Sequence, residues 1–128
     1  MDLAVRLEAI APQRHDAGFS WREAGGIGER GGDALPLVLL HGIGSNAGSW
    51  VGQFEAFAPD RRVIAWNAPG YGRSAPLPVA TPVASDYGAA LWRFLDHLGV
   101  GRCLLVGQSL GAIMAVAAAR IAPQNRAD

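Results

Sequence analysis

Ser109 stands between two glycines, in Gly107-Gln108-Ser109-Leu110-Gly111. The run before it, Cys103-Leu104-Leu105-Val106, is apolar and suits a strand; the small apolar residues after it suit a helix. A serine raised on a tight strand-to-helix turn holds its hydroxyl clear of the sheet. The residues two before and two after it must be small, or their side chains would collide within the turn. The helix that begins there aims backbone N–H groups at the point where negative charge develops when a hydroxyl attacks an acyl carbon. The chemistry implied is nucleophilic catalysis. Ala112, Ala115 and Ala119 are expected to let this helix lie close on the sheet.

A second stretch fits the same chemistry. His41-Gly42-Ile43-Gly44 follows the apolar run "LPLVLL" (35–40), so it should lie beside the serine turn at the carboxyl ends of the strands. The backbone N–H groups of Ile43 and Leu110 would together bind an oxyanion. His41, Gly42, Gly44, Gly107, Gln108 and Gly111 are expected to support that site. His41 is read as shaping the loop through hydrogen bonds and not as a base.

These residues need elements to hold them. "LAVRLEA" (3–9) and "GFSWREAG" (18–25) are read as outer strands, with a polar turn from Pro12 to Gly18 between them. Residues 35–42, 61–70 and 102–107 are continuous apolar runs, the pattern of strands buried on both faces. In 46–58, Trp50, Phe54 and Phe57 mark one apolar helical face. Residues 71–82 are a proline-rich loop. The segment 85–100 is a helix capped by Ser85 or Asp86, lined by Leu91, Leu95 and Leu98, and ended by Gly99. Ser109 to Ile121 forms another helix. Alternating strands and helices predict an α/β fold with a mostly parallel sheet.

Composition bounds what else the chain does. Its 128 residues are 50% hydrophobic and 17% charged, with 11 basic and 11 acidic residues. That is at most one globular domain, with no charge footprint for nucleic acid or an anionic membrane. No window approaches the roughly 18–20 apolar residues of a membrane span, and the charged start "MDLAVRLEAI" is unlike a signal peptide. The single cysteine, Cys103, is read as a small core residue. These features suit the cytoplasm. Gly26, Gly28 and Gly31 spell Gly-x-Gly-x-x-Gly, but a charged stretch precedes them and a strand follows. They are read as a connector, not a dinucleotide site. No cofactor or metal is expected.

Taken in order, "LVLLHGIG", "VIAWNAPGYGRS" and "LWRFLDHLGVGRCLLVGQSLGA" resemble the α/β-hydrolase superfamily from about Phe19 to Ile121. The resemblance implies the family's first five strands and its helices A to C. It also implies Ser109 as nucleophile in a serine branch similar to bacterial esterases and enol-lactonases. Relatives that open epoxides or remove halogens carry aspartate at the elbow. Asn67 stands where the family's loop after the fourth strand usually has aspartate, a loop-shaping hydrogen-bond acceptor. The implied substrate is a small acyl compound.

In that family the acid and the histidine base follow the nucleophile. Here no histidine follows Ser109, and the one later carboxylate side chain is Asp128. His15, His41 and His97 all come earlier and are read as loop or surface residues; Asp86 and Asp96 are read as a helix cap and a solvated charge. No triad assembles. Residues 1–128 are therefore expected to be an incomplete α/β-hydrolase domain, truncated after the nucleophile-elbow helix and inactive alone. The strand carrying the serine would be left at an apolar sheet edge, prone to self-association or open to a complementing C-terminal half. The alternative is a non-catalytic remnant acting as a binding or self-associating module. Trp50, Tyr71 and Trp92 are pocket candidates, though such aromatics serve the core more often.

Overall fold

The computed structural model describes residues 2–26, 34–122 and 126. Helix α1 (Leu3–Ile10) is followed by β1 (Gln13–Asp16), β2 (Phe19–Ala24) and β3 (Leu37–Leu40). A 3-10 turn (Ala47–Trp50) runs into α2 (Val51–Phe57), and then come β4 (Val63–Asn67), α3 (Ala84–His97), β5 (Leu104–Gly107) and α4 (Leu110–Ile121). The strands form one sheet in the order β1-β2-β4-β3-β5. β4 and β5 pair parallel to β3 on either side, while β2 and β1 add antiparallel.

The central strands are apolar throughout because both faces are covered. Val38, Leu40, Ile64 and Trp66 face α3 and α4, where they meet Leu91, Phe94, Leu95 and Met114. Their neighbours Leu37, Leu39, Val63 and Ala65 face the other way, onto Leu7, Trp50 and Phe54. Each large apolar side chain so buried contributes about 1.5–3 kcal/mol. β5, expected to be buried on both faces, is not: it pairs only with β3 among the described strands, none of its residues is fully buried, and Val106 is 42% exposed.

Several expectations are corrected. Residues 3–9 form a helix, not a strand. Leu3, Val5 and Leu7 alternate with the strand period while Leu3, Ala4 and Leu7 fit the helical one, and the Asp2 carboxylate decides it by accepting from the Val5 N–H at 2.9 Å as N-cap. Val5 is left outside, half exposed. The polar stretch 12–18 holds β1, an edge strand whose residues are all exposed. It turns into β2 at Ala17 and Gly18, both at positive φ (51° and 82°), as a tight hairpin requires. Phe57, expected inside, is 46% exposed at the last residue of α2, while Trp50 and Phe54 are buried as expected. On α4 the buried small residues are Gly111 and Ala118, with Met114 between them, and Ala119 faces outward.

The helix 85–100 is present as α3, but its N-cap is Val83 and not Ser85 or Asp86; Asp86 closes a capping box from the third helical position by accepting from the Val83 N–H at 2.8 Å. Asp96 is exposed, as expected of a solvated charge, and also pairs with Arg126 at 2.8 Å. The glycine triplet read as a connector lies outside the described residues, apart from Gly26.

Candidate active site

β5 ends at Gly107 and α4 begins at Leu110, so Gln108 and Ser109 turn the chain. Ser109 has φ 55° and ψ −121°, a conformation that costs a residue with a side chain about 1–3 kcal/mol. The surroundings enforce it. The Gln108 N–H donates to the Leu40 carbonyl at 3.1 Å, tying the turn to the end of β3. A β-carbon on Gly107 would stand 2.2 Å from the Gly111 carbonyl oxygen, and one on Gly111 would stand 2.0 Å from that of Leu40. Neither position admits a side chain without moving backbone. The serine itself is exposed.

The loop after β3 lies against this turn. A β-carbon on Gly42 would sit 3.2 Å from the Ser109 Cβ. The next residue, Ile43, is 74% exposed. Among the described residues, neither the Ile43 N–H nor the Leu110 N–H has an acceptor. The first helical turn closes behind them, with the Gly111 N–H on the Gln108 carbonyl and the Ala112 N–H on that of Ser109, both at 2.9 Å.

His41 is 2% exposed and both ring nitrogens are engaged. Nε2 accepts from the Ala68 N–H at 3.0 Å, so the proton sits on Nδ1, which donates to the Gly42 carbonyl at 2.9 Å. Burial lowers its pKa from the usual histidine value, outweighing the opposing effect of the Gly42 carbonyl. The imidazole is thus neutral and fastens the loop after β3 to the loop after β4. Tyr71 lies edge-on to it at 4.8 Å between centroids. Of the three pocket candidates, Trp50 and Trp92 are buried in the two cores, and only Tyr71 reaches this loop cluster.

A buried polar cluster beneath the loops was not foreseen. Asn67 Oδ1 accepts from the Ala47 N–H at 2.8 Å, and its amide nitrogen donates to Ser20 Oγ at 2.8 Å. Ser74 Oγ donates to the Asn67 carbonyl at 2.6 Å and lies 3.0 Å from Ser20 Oγ. The acceptor role expected of Asn67 is present, with a donor role added. Ser20 carried no sequence signal, since its partners are 47 or more positions away; Ser74 ends the stretch "VIAWNAPGYGRS" that carried the resemblance, but nothing there tied it to Ser20.

No described residue brings a base to Ser109. His15 lies on β1, at the opposite edge of the sheet from β5. His97 Nε2 is paired with Asp16 Oδ2 at 3.0 Å, and His41 is committed as above. Among the described residues no group of three or more His, Cys, Asp or Glu side chains is placed to hold a metal ion. Nor is any described helix long and apolar enough to cross a membrane.

The family profile described as the alpha/beta hydrolase fold matches residues 36–126, which span β3 through α4. The chain belongs to the α/β-hydrolase family. It is 35% identical over 125 residues to the dihydrolipoyllysine-residue acetyltransferase component of an acetoin-cleaving system from Pseudomonas putida, covering 95% of this chain and 32% of that protein. It is 44% identical over 94 residues to a 2-hydroxy-6-oxononadienedioate/2-hydroxy-6-oxononatrienedioate hydrolase from Burkholderia vietnamiensis, covering 70% of this chain and 32% of that one. A thermophilic esterase from Thermogutta terrifontis superposes with a TM-score of 0.66 at 29% identity, over 84% of this chain and 38% of its own. This α/β-hydrolase chain thus spans about a third of the length of the curated relatives it matches.

Proposed function

We propose that this chain is the nucleophile-bearing part of a serine hydrolase acting on small acyl compounds in the manner of an esterase or lactonase. Ser109 is its nucleophile, and the N–H groups of Ile43 and Leu110 form its oxyanion hole. The observation that carries the reading is the strained backbone of Ser109, held at φ 55° between two glycines whose side-chain space is filled by backbone. Strain of this kind persists where the surrounding structure over-determines it, and it gathers at active sites. Attack by the Ser109 hydroxyl on an acyl carbon would place the negative charge of the tetrahedral intermediate before two N–H groups free to receive it. The relatives support the class, since their names describe acyl transfer or hydrolysis.

On this reading residues 1–128 are an incomplete domain, and the chain by itself does not turn over. A serine hydroxyl needs a base within about 2.6–3.2 Å, and loss of the histidine from a comparable triad removes roughly a million-fold in turnover. The acid and base then lie in a segment beyond residues 1–128 or in a complementing polypeptide, either of which would complete the sheet at the β5 edge, where Val106, Ile113, Val116 and Ile121 are exposed together with the strand. A single cysteine in the sequence fits a cytoplasmic setting. The second reading, a non-catalytic module that binds or self-associates through that same edge, is favoured by the commitment of His41 and His97 elsewhere.

Intact mass before and after a fluorophosphonate separates the two. The chain alone should gain no adduct. Co-expressed with the part of the Burkholderia hydrolase that follows the stretch matched by this chain, it should gain one, lost in Ser109→Ala. A folded complex that never labels would sink the enzymatic reading and leave the binding module.

A further inference from the structure

The loop that carries Ile43 is held at both ends by two consecutive residues at the end of β4. At its start, His41 Nε2 accepts from the Ala68 N–H at 3.0 Å. At its end, the Ala47 N–H donates to Asn67 Oδ1 at 2.8 Å. Between these anchors the Ser45 N–H donates to the Gly42 carbonyl at 3.1 Å, with Gly44 at φ 72°, so residues 42–45 form one turn. A turn closed by its own hydrogen bond moves as a unit, and its aim follows its anchors.

The second anchor depends on which way the Asn67 amide lies. An amide carries an acceptor on one side and a donor on the other, and only one orientation offers Oδ1 to Ala47. Ser20 fixes that orientation. Its Oγ accepts from Asn67 Nδ2 at 2.8 Å and from the Arg73 N–H at 3.1 Å, which leaves its own hydrogen for Ser74 Oγ, 3.0 Å away. Ser74 Oγ in turn accepts from the Ser20 N–H at 2.9 Å and donates to the Asn67 carbonyl at 2.6 Å. Ser20 is 1% exposed and Asn67 4%, so bulk water is not at hand to replace a lost partner. A β-carbon on Gly72 would stand 2.7 Å from Asn67 Nδ2, so the loop after β4 also presses on the amide.

We propose that Ser20 is a positioning residue for the oxyanion hole: through the Asn67 amide it sets the exit of the loop 41–47 and hence the aim of the Ile43 N–H. The inference rests on the reading of Ile43 as an oxyanion donor and adds the residue that orients it. Ser20 lies on β2, three strands from β5, and acts only through Asn67. Donors must stand about 2.7–3.1 Å from the oxyanion, so a loop that wanders loses the hole while the fold persists.

Amide measurements on the full 128-residue chain test the positioning, and labelling of the co-expressed complex tests its use. In Ser20→Ala the Ala47 amide should exchange at least tenfold faster relative to Val38 of β3. The Ile43 order parameter should fall from about 0.85 to below about 0.6. Val100→Ala removes buried core volume at the opposite end of β5 from the elbow and should move neither readout. A residue that only added stability would lower the urea midpoint in both variants and leave the loop as it was. If Ser20→Ala does not fold, Ser20→Cys is read in its place, because sulfur fills the space but accepts weakly. An unchanged Ile43 order parameter, or an equal fall in Val100→Ala, overturns the proposal. In the complex, the fluorophosphonate adduct should form at least tenfold more slowly with Ser20→Ala than with the parent, and equal rates overturn it as well. A parent complex that never labels defeats the nucleophile reading alone; the two amide readouts then still decide whether Ser20 positions the loop.

Discussion

Gly42 and Ser109 are in contact across the gap between two loops: a β-carbon on Gly42 would stand 3.8 Å from the Ser109 hydroxyl oxygen and 3.2 Å from its Cβ. A methyl there needs only a few tenths of an ångström of yielding. At Gly111 the same methyl would meet the Leu40 carbonyl oxygen at 2.0 Å, while at Gly101 nothing lies within 4 Å. Gly111→Ala should therefore cost more than about 3 kcal/mol or prevent folding, and Gly42→Ala about 1 kcal/mol. Gly101→Ala should stay within about 0.5 kcal/mol of the parent. Urea midpoints rank the three, and any other order contradicts the packing described.

The strain at Ser109 is measurable without any turnover. Glycine tolerates φ 55° freely, so Ser109→Gly recovers about 1–3 kcal/mol of strain while losing about 0.4–1 kcal/mol to the freer unfolded chain. The variant should be more stable than the parent by about 1 kcal/mol. Ser109→Ala keeps the strain and should change little. Equal stabilities for the glycine and alanine variants would mean that the turn carries no strain.

Asn67→Asp, which exchanges the amide for the carboxylate that the sequence resemblance implies at this position, should destabilise here. The amide nitrogen donates to Ser20 Oγ, which also accepts from the Arg73 N–H at 3.1 Å, leaving the Ser20 hydrogen for Ser74. A carboxylate would face Ser20 with an oxygen in place of that donor and would bury a charge. The expected loss is about 1–3 kcal/mol, and Ser20→Ala in the same background should remove part of it. A double-mutant cycle over positions 20 and 67 reads the coupling.

His41 makes the fold acid-sensitive. Its pKa is lowered in the folded state, so the unfolded chain binds the proton more readily. The stability this neutral imidazole confers is complete above the unfolded value of about 6.5 and drains away as pH falls below it. Unfolding free energies at pH 8, 7, 6 and 5 should decline more steeply for the parent than for His41→Gln. Parallel curves would show that the imidazole titrates alike in both states.

The sequence by itself determined the strand-to-helix turn at Ser109, the buried parallel strands β3 and β4, and the place of His41 after β3. Those features rest on local rules. A serine between glycines, bounded by a β-prone apolar run and a helix of small residues, has few conformations open to it, and strands buried on both faces must be apolar at every position. Tertiary structure alone decided the rest. Residues 3–9 fit two periods until Asp2 capped the helix and Leu7 found Trp50 and Phe54 to pack on. The polar residues of β1 became a strand only because the edge of β2 was there to pair with. Asn67 and Ser74 stand out in the sequence only as parts of one loop pattern, and Ser20 does not stand out at all. They become one hydrogen-bonded cluster because the hairpin and the loop after β4 close over each other, and burial leaves their polar groups no water to turn to.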